Sequence, residues 1–137
     1  MTEDMEARGP AGGPAVVLLT RDLFFRVRLE SAISRAGWRP VVVLPSDDVE
    51  SVLDHARPLL VLVDLQAPQA VWRAALDAAR LAPSGPVPSL AFGSHKDLAA
   101  RKEALAAGAT TVVANSKLVS DLPALLTTHA KAASRPA

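Results

Sequence analysis

Five short, almost wholly apolar runs set the main constraint on how this chain can fold. They lie at residues 15–19, 41–44, 59–63, 89–92 and 111–114, separated by longer segments with apolar residues every three or four positions. Runs that are apolar at nearly every position are typical of parallel strands buried on both faces, and the longer segments are typical of amphipathic helices. The alternation predicts an α/β fold of five βα units, a parallel sheet with helices on both faces.

The segments between the runs carry helix start and stop signals. Between the first two runs, Phe25, Leu29 and Ile33 lie on one helical stripe, and Gly37 follows where a C-terminal glycine belongs. The second helix is predicted to have Ser46 or Asp47 as its N-cap, and the others to begin just after Pro68, at Lys96 and at Val119.

Length and tails predict one domain. The chain has 137 residues, enough for a single core. Residues 1–14 are rich in acidic residues and turn formers, and we expect a disordered leader there; residues 15–133 form the domain, and 134–137 a disordered tail. The leader lacks the basic start and apolar stretch of a secretory signal, so a cytoplasmic location is expected.

Composition excludes several classes of protein. The chain has no cysteine, so disulfides, thiolate metal sites and cysteine nucleophiles are impossible. Its 15 basic and 14 acidic side chains leave no basic surplus for nucleic-acid phosphates, and we expect no nucleic-acid partner. The apolar runs are far shorter than the roughly 20 residues that span a bilayer, so no membrane partner is expected.

Polar residues follow each predicted strand, at the edge where open parallel sheets bind ligands. They are Thr20, Arg21 and Asp22, then Ser46, Asp47 and Asp48, then Asp64, then Gly93, Ser94 and His95, and finally Asn115, Ser116 and Lys117. No GxGxxG, GxxxxGK[ST] or GxSxG motif occurs, which argues against dinucleotide, P-loop and serine-hydrolase chemistry. An enzyme is therefore the least favoured class.

The segment PLLVLVDLQAP, residues 58–68, resembles the third strand of response-regulator receiver domains, the CheY-like family. In that family the strand ends in the phosphorylated aspartate and a proline follows four residues later; Asp64 and Pro68 match those places. LFFRVRL resembles the family's opening and GATTVVANS its ending. The resemblance covers about residues 15–133 and implies a flavodoxin-like sheet in the order 2-1-3-4-5, with Asp64 as candidate phosphoacceptor.

The rest of the family's phosphoryl-transfer site is altered. The acidic pair that holds magnesium reads Thr20 and Arg21 with Asp22 behind it, the hydroxyl position reads Gly93 followed by Ser94, the lysine position reads Asn115 with Lys117 nearby, and the aromatic switch position reads Val112. Only Asp64 is kept in register. We therefore predict a pseudo-receiver without phosphoryl-transfer activity, cofactor or metal, which contacts an unidentified signalling protein or a second copy of itself.

Two alternatives remain open. In the first, the chain is a phosphorylatable single-domain response regulator: Asp64 is the acceptor, Asp22 and Asp64 hold magnesium, and Ser94 and Lys117 take the shifted supporting roles. In the second, Arg21, Ser94, His95 and Lys117 bind a small anion or ligand in the same cleft.

The sequence also predicts the surroundings of three individual side chains. Asp64 is expected to cap a loop or to pair with Arg21 or Lys117, and a permanent Arg21–Asp64 ion pair would imitate a bound metal. His95, a lone loop histidine, is expected to be solvated. Trp72 is a possible partner contact if it is partly exposed.

Overall fold

The structure, a computed structural model, describes the backbone of residues 14–44, 46–83 and 85–134 and the side chains as far as residue 128 with the same gaps. The strands are β1 (Ala15–Leu19), β2 (Arg39–Val42), β3 (Leu60–Asp64), β4 (Ser89–Gly93) and β5 (Thr111–Ala114). The helices are α1 (Leu23–Arg35), α2 (Val49–Ala56), α3 (Gln69–Arg80), α4 (Leu98–Ala106) and α5 (Asn115–Ser134).

The predicted terminal segments fall largely outside the described residues. Residues 1–13 of the predicted leader and 135–137 of the predicted tail lie there. Of the two described ends, Pro14 accepts a hydrogen bond from the N–H of Arg39, and Ser134 is the last residue of α5. No helix in the described part of the chain is long and apolar enough to span a membrane.

All five strands are parallel, in the order β2-β1-β3-β4-β5, which confirms the predicted sheet. The three central strands are buried at every residue, whereas the edge strands β2 and β5 are only partly buried. This difference follows from covering a sheet with helices on both faces, since only the inner strands are shielded on every side.

The side chains of alternate residues in each strand pack into two separate hydrophobic cores, one on each face of the sheet. On one face, Leu18 and Leu62 pack with α1 and α5; on the other, Val17 and Val63 pack with α2, α3 and α4. The first core includes Leu29, Ile33, Phe92, Leu118, Leu122 and Leu126, and the second includes Leu53, Trp72, Leu76 and Ala104. The period of two along each strand therefore decides which helices each residue contacts.

The second strand begins two residues earlier than predicted, at Arg39 instead of Val41. The N–H of Arg39 bonds to Pro14, directly before β1, and that of Val43 bonds to Leu18 of β1, so an N–H at residue 40 would face the free edge. Pro40 lacks an N–H and is tolerated there because no hydrogen bond with β1 is lost. The prediction missed this start because Arg39 and Pro40 interrupt the apolar pattern.

Helix boundaries confirm some of the predicted signals and correct others. Gly37 has φ 89° and follows α1 as predicted. The N-cap of α2 is Asp48, whose carboxylate accepts from the N–H of Glu50; Asp47, one of the two predicted caps, accepts from the N–H of Leu44. The last helix begins at Asn115, directly after β5, so residues 115–117 lie in its first turn and not in a loop.

Candidate functional site

A hydrogen bond between β1 and β3 occupies the centre of the carboxyl edge of the sheet. The hydroxyl of Thr20 donates to Oδ2 of Asp64 at 2.6 Å. Leu19 pairs with Val63 in the parallel ladder, and the same register continued by one residue places Thr20 beside Asp64. Thr20 is 8% and Asp64 3% exposed, so this bond lies in a largely dehydrated place.

The second carboxylate oxygen of Asp64 is also engaged. Oδ1 accepts the N–H of Gln66 at 2.8 Å, and the main-chain carbonyl accepts the N–H of Ala67 at 3.1 Å. A buried carboxylate needs such donors because its charge is otherwise poorly solvated. Asp64 therefore anchors the loop between β3 and α3, as one of the structural roles predicted for it.

Asp22 serves as the N-cap of α1. Its Oδ1 accepts from the N–H of Phe25 at 3.0 Å, and its own N–H donates to the hydroxyl of Thr20 at 3.2 Å. Asp22 is exposed, in contrast to Asp64. In the described part of the chain, no group of three or more histidine and carboxylate side chains could hold a metal ion.

The residues present do not fit the magnesium site that an active receiver requires. The position beside Asp64 carries the hydroxyl of Thr20, which donates to the carboxylate, and the next position carries the cation of Arg21. A divalent cation prefers several oxygen ligands of negative or carbonyl type. The Thr20 hydroxyl directs its proton at the Asp64 carboxylate. It therefore occupies the carboxylate oxygen that a metal ion would have to bind.

The predicted ion pairs of Asp64 are not formed. Arg21 and Lys117 are exposed, and Asp64 takes part in none of the ion pairs between described residues. Thr20 occupies the place beside the carboxylate, and Arg21 follows it one residue further along the chain, in contact with solvent. The predicted imitation of a metal by Arg21 is therefore wrong; a neutral hydroxyl neighbours Asp64.

The half of the edge formed by β4 and β5 is more open. A cleft of about 120 Å³ lies there, lined among others by Leu65, Gly93, Ser94 and Val112. A Cβ atom at Gly93 would lie 3.2 Å from Cβ of Leu65, so the leucine occupies the space beside the glycine. Ser94 is exposed, and its hydroxyl accepts the N–H of Lys96 at 3.2 Å.

Asn115 lies half-buried where β5 ends and α5 begins. Its Oδ1 is buried and has no hydrogen-bond partner. Lys117, two residues further on, lies exposed in the first turn of the helix. Neither residue is hydrogen-bonded to Asp64, so this half of the edge does not complete the pairing seen between β1 and β3.

Two further predicted residues lie apart from this centre. His95 is exposed in the loop before α4, as predicted for a solvated histidine. Trp72 is 2% exposed and belongs to the core between the sheet and α3. The expected partial exposure of Trp72 is wrong, and with it the proposed partner contact, because the apolar face of α3 turns the indole inward.

Thr20 is the residue whose role the sequence-based reasoning missed. The sequence places it among the polar residues at the ligand-binding edge, at a position where the family has an acidic residue, but predicts no partner for it. Once β1 and β3 are predicted as neighbours, however, a hydroxyl and a carboxylate at the ends of the two strands are candidates for a cross-strand pair.

Neither a protein-family model nor a curated protein sequence matches the chain. Solved structures do. The receiver domain of the sensor histidine kinase PA1611 from Pseudomonas aeruginosa PAO1 superimposes with a TM-score of 0.74 at 19% identity, over 85% of this chain and 97% of that one. The receiver domain of NtrX from Brucella abortus gives 0.72 at 15% identity, over 85% and 98%.

The chemotaxis protein CheY4 from Vibrio cholerae is similar to the same extent, with a TM-score of 0.73 at 16% identity, over 85% of this chain and 98% of that one. The chain therefore has a doubly wound flavodoxin-like fold. More narrowly, it is the fold of the CheY-like receiver superfamily, and the predicted fold resemblance is confirmed.

Proposed function

We propose that the chain is a receiver-fold signalling module that acts through protein contacts, and that Asp64 has a structural role in it. It carries out no phosphoryl transfer and needs no metal or cofactor. Its partner is another signalling protein of the cytoplasm or a second copy of the chain, with no role for nucleic acid or a membrane. The observation that supports this proposal is the paired state of Asp64, which accepts from Thr20 and Gln66.

The charge balance around Asp64 supports this function. Several carboxylates gathered at one buried edge repel each other, and a divalent cation offsets that repulsion. Here a neutral donor stands beside Asp64, so the repulsion is absent and the carboxylate is satisfied by the protein alone. The PA1611 receiver domain, by contrast, was solved with a magnesium ion coordinated in its active-site cleft.

The phosphorylatable alternative requires three substitutes, and each has another role or place in this structure. Asp22 caps α1, the hydroxyl of Ser94 accepts a local N–H, and Lys117 is exposed in α5. A phosphoryl group on Asp64 would also have to displace the Thr20 hydroxyl or the Gln66 N–H.

The anion-binding alternative requires Arg21, Ser94, His95 and Lys117 to converge. Arg21 lines a cavity of about 70 Å³ with Asp47. Ser94 lines the separate 120 Å³ cleft with Asp97. Each of these cavities contains a carboxylate, which opposes an anion electrostatically. We therefore favour the protein-contact function over anion binding.

Amide NMR tests the proposal. The wild-type protein is titrated with magnesium and then with beryllofluoride, beside an Asp64→Asn variant and a Thr20→Asp/Arg21→Asp variant that supplies the acidic pair. We expect no saturable shifts at residues 20–22 and 64–66 of the wild type, and magnesium-dependent shifts in the double variant, which shows that the assay detects a restored site.

Saturable wild-type shifts that require magnesium and disappear in Asp64→Asn would overturn the proposal and make Asp64 a phosphoacceptor. In a parallel titration with phosphate or sulfate alone, saturable shifts centred on Arg21 and Ser94 would overturn the proposal in favour of an anion site. A wild type silent to all these ligands supports a fold that acts through its surface.

A further inference from the structure

Helix α1 presents an apolar surface to solvent near its N-terminus. Phe24 is 85% exposed, and Leu23 and Val27 are each more than half exposed. Their spacing of three and four residues places them side by side on one part of the helix. We call these three residues the α1 patch.

The exposure of Phe24 is not a sign of a poorly packed helix. Its neighbour Phe25 packs against Phe92, with ring centroids 5.4 Å apart. Leu29 and Ile33, on the same helix, are fully buried. The opposite face of α1 is therefore fixed to the sheet, and the helix holds the aromatic ring of Phe24 outward, which exposes a large apolar side chain to water.

Cations outnumber carboxylates around the α1 patch, where Asp22, the exposed N-cap, is the one carboxylate directly beside Leu23. Arg21 precedes the helix and Arg28 follows Val27, and both are exposed. Arg26 lies 3.6 Å from Glu30 and is thereby partly neutralised. In a two-fold contact between copies, each patch would face itself, which brings like charges of the two copies close together. Charge therefore favours an acidic occupant over a second copy.

The chain itself contains an acidic segment with an apolar side chain. Residues 1–8 read MTEDMEAR, with three carboxylates against one arginine, and Met5 lies among the carboxylates. These residues lie outside the described part of the structure. We propose that residues 1–8 bind back onto the α1 patch, with Met5 against the ring of Phe24 and the carboxylates near Arg21 and Arg28.

The point of attachment permits this contact. Pro14 lies at the start of β1, where its carbonyl binds the N–H of Arg39 just beyond the C-terminal end of α1. From Arg35 to Phe24 the helix rises about 16 Å. The nine residue steps from Pro14 back to Met5 reach up to about 30 Å when extended. The segment is long enough to pass along α1 to the patch.

Covalent attachment makes a weak contact sufficient. A segment tethered by a short flexible linker has an effective concentration in the millimolar range. Methionine suits the role because its flexible thioether side chain adapts to an aromatic surface. In this arrangement residues 1–8 compete with any partner for the α1 patch, whether or not Asp64 has a structural role.

A paramagnetic label on the full chain tests the inference. The protein has no cysteine, so Thr2→Cys provides a single attachment site for a nitroxide. We expect broadening of the amides of residues 23–28, which is lost in a variant with Glu3→Gln, Asp4→Asn, Met5→Ser and Glu6→Gln on the same tether. Phe24→Ser should also remove it, whereas the matched change at an exposed leucine of α4, Leu105→Ser, should not.

Three outcomes would overturn the inference. The first is that the amide signals of residues 23–28 broaden no more strongly than those of the exposed residues of α2 or α4. The second is broadening that the neutral variant retains, which would reflect the tether alone. The third is broadening of an isotope-labelled, spin-free chain by a separate spin-labelled chain, which would show contact between two copies.

Discussion

The two halves of the carboxyl edge differ in how completely their polar groups are paired. Between β1 and β3, both carboxylate oxygens of Asp64 have donors, and the group is buried. Between β4 and β5, Gly93 and Val112 border a cleft, and the buried Oδ1 of Asn115 has no partner. One half forms a closed structural link, and the other lacks one.

This difference shows that polar groups at one edge of a sheet are not paired uniformly. Between β1 and β3, Thr20 donates directly across the register to Asp64, so the carboxylate has a neutral hydrogen-bond donor as its neighbour. Between β4 and β5, Gly93 has no side chain and Oδ1 of Asn115 has no partner, so no comparable link forms there. Disruption of the paired half should therefore cost far more stability than equivalent changes in the open half.

The largest effect is expected from Thr20→Asp. A second carboxylate beside buried Asp64 removes a donor and adds repulsion, and should lower the free energy of unfolding by about 3 kcal/mol. Urea denaturation followed by circular dichroism measures this change, and millimolar magnesium should recover part of it. Thr20→Asn is the matched control, since it is neutral and can donate to Asp64; equal losses in both variants would contradict the charge argument.

Thr20→Val should lower the free energy of unfolding by about 2 kcal/mol, because it leaves one oxygen of a buried carboxylate without its donor while it preserves side-chain shape. Thr20→Ser retains the hydroxyl and should stay closer to wild type. A loss in Thr20→Ser as large as that in Thr20→Val would attribute the effect to packing of the methyl group instead of the hydrogen bond.

Asn115→Ala tests the open half of the edge, between β4 and β5. Removal of a buried oxygen that has no partner should leave the free energy of unfolding unchanged or raise it by up to about 0.5 kcal/mol. Thermal unfolding beside Thr20→Val measures the contrast directly. A loss as large as that of Thr20→Val would mean that the two halves are equally important for stability.

Arg21→Ala should have the smallest effect, within about 0.5 kcal/mol of wild type, because its exposed side chain forms no ion pair with another residue that the structure describes and such side chains contribute little. The same denaturation experiment at low and high salt provides the measurement. A salt-sensitive loss of stability would instead support electrostatic attraction between Arg21 and Asp64.

The fold could be predicted from the sequence because its strongest signals are periodic. The central strands are apolar at nearly every position, and three helices, α2, α3 and α4, begin within two residues of their predicted starts. Strand β2 was misplaced because an edge strand tolerates Arg39 and Pro40, which a buried strand would not. The start of α5 was missed because the polar residues 115–117 read as a loop.

The site was predicted as a set of positions but not as a set of contacts. The sequence predicted that Asp64, Thr20 and Arg21 lie at one edge of the sheet. It also predicted an ion pair between Asp64 and Arg21, because their charges are opposite. The strand register instead pairs Asp64 with Thr20, which continues the β1–β3 ladder, whereas Arg21, one residue further along the chain, is exposed to solvent. The burial of Trp72 likewise depends on how α3 lies on the sheet, which residue type alone does not reveal.

Because of Pro40, the two edge strands, β2 and β5, differ in how well they can pair with an additional strand. On β2 it removes one of the outward-facing donors that an incoming strand would need, so this border is a poor template for another chain. On β5, alternation from the N–H of Thr110, which bonds to Ser89, leaves the N–H groups of Thr111 and Val113 facing outward. Any extension of the sheet by a further strand is therefore favoured in one direction only, away from β4.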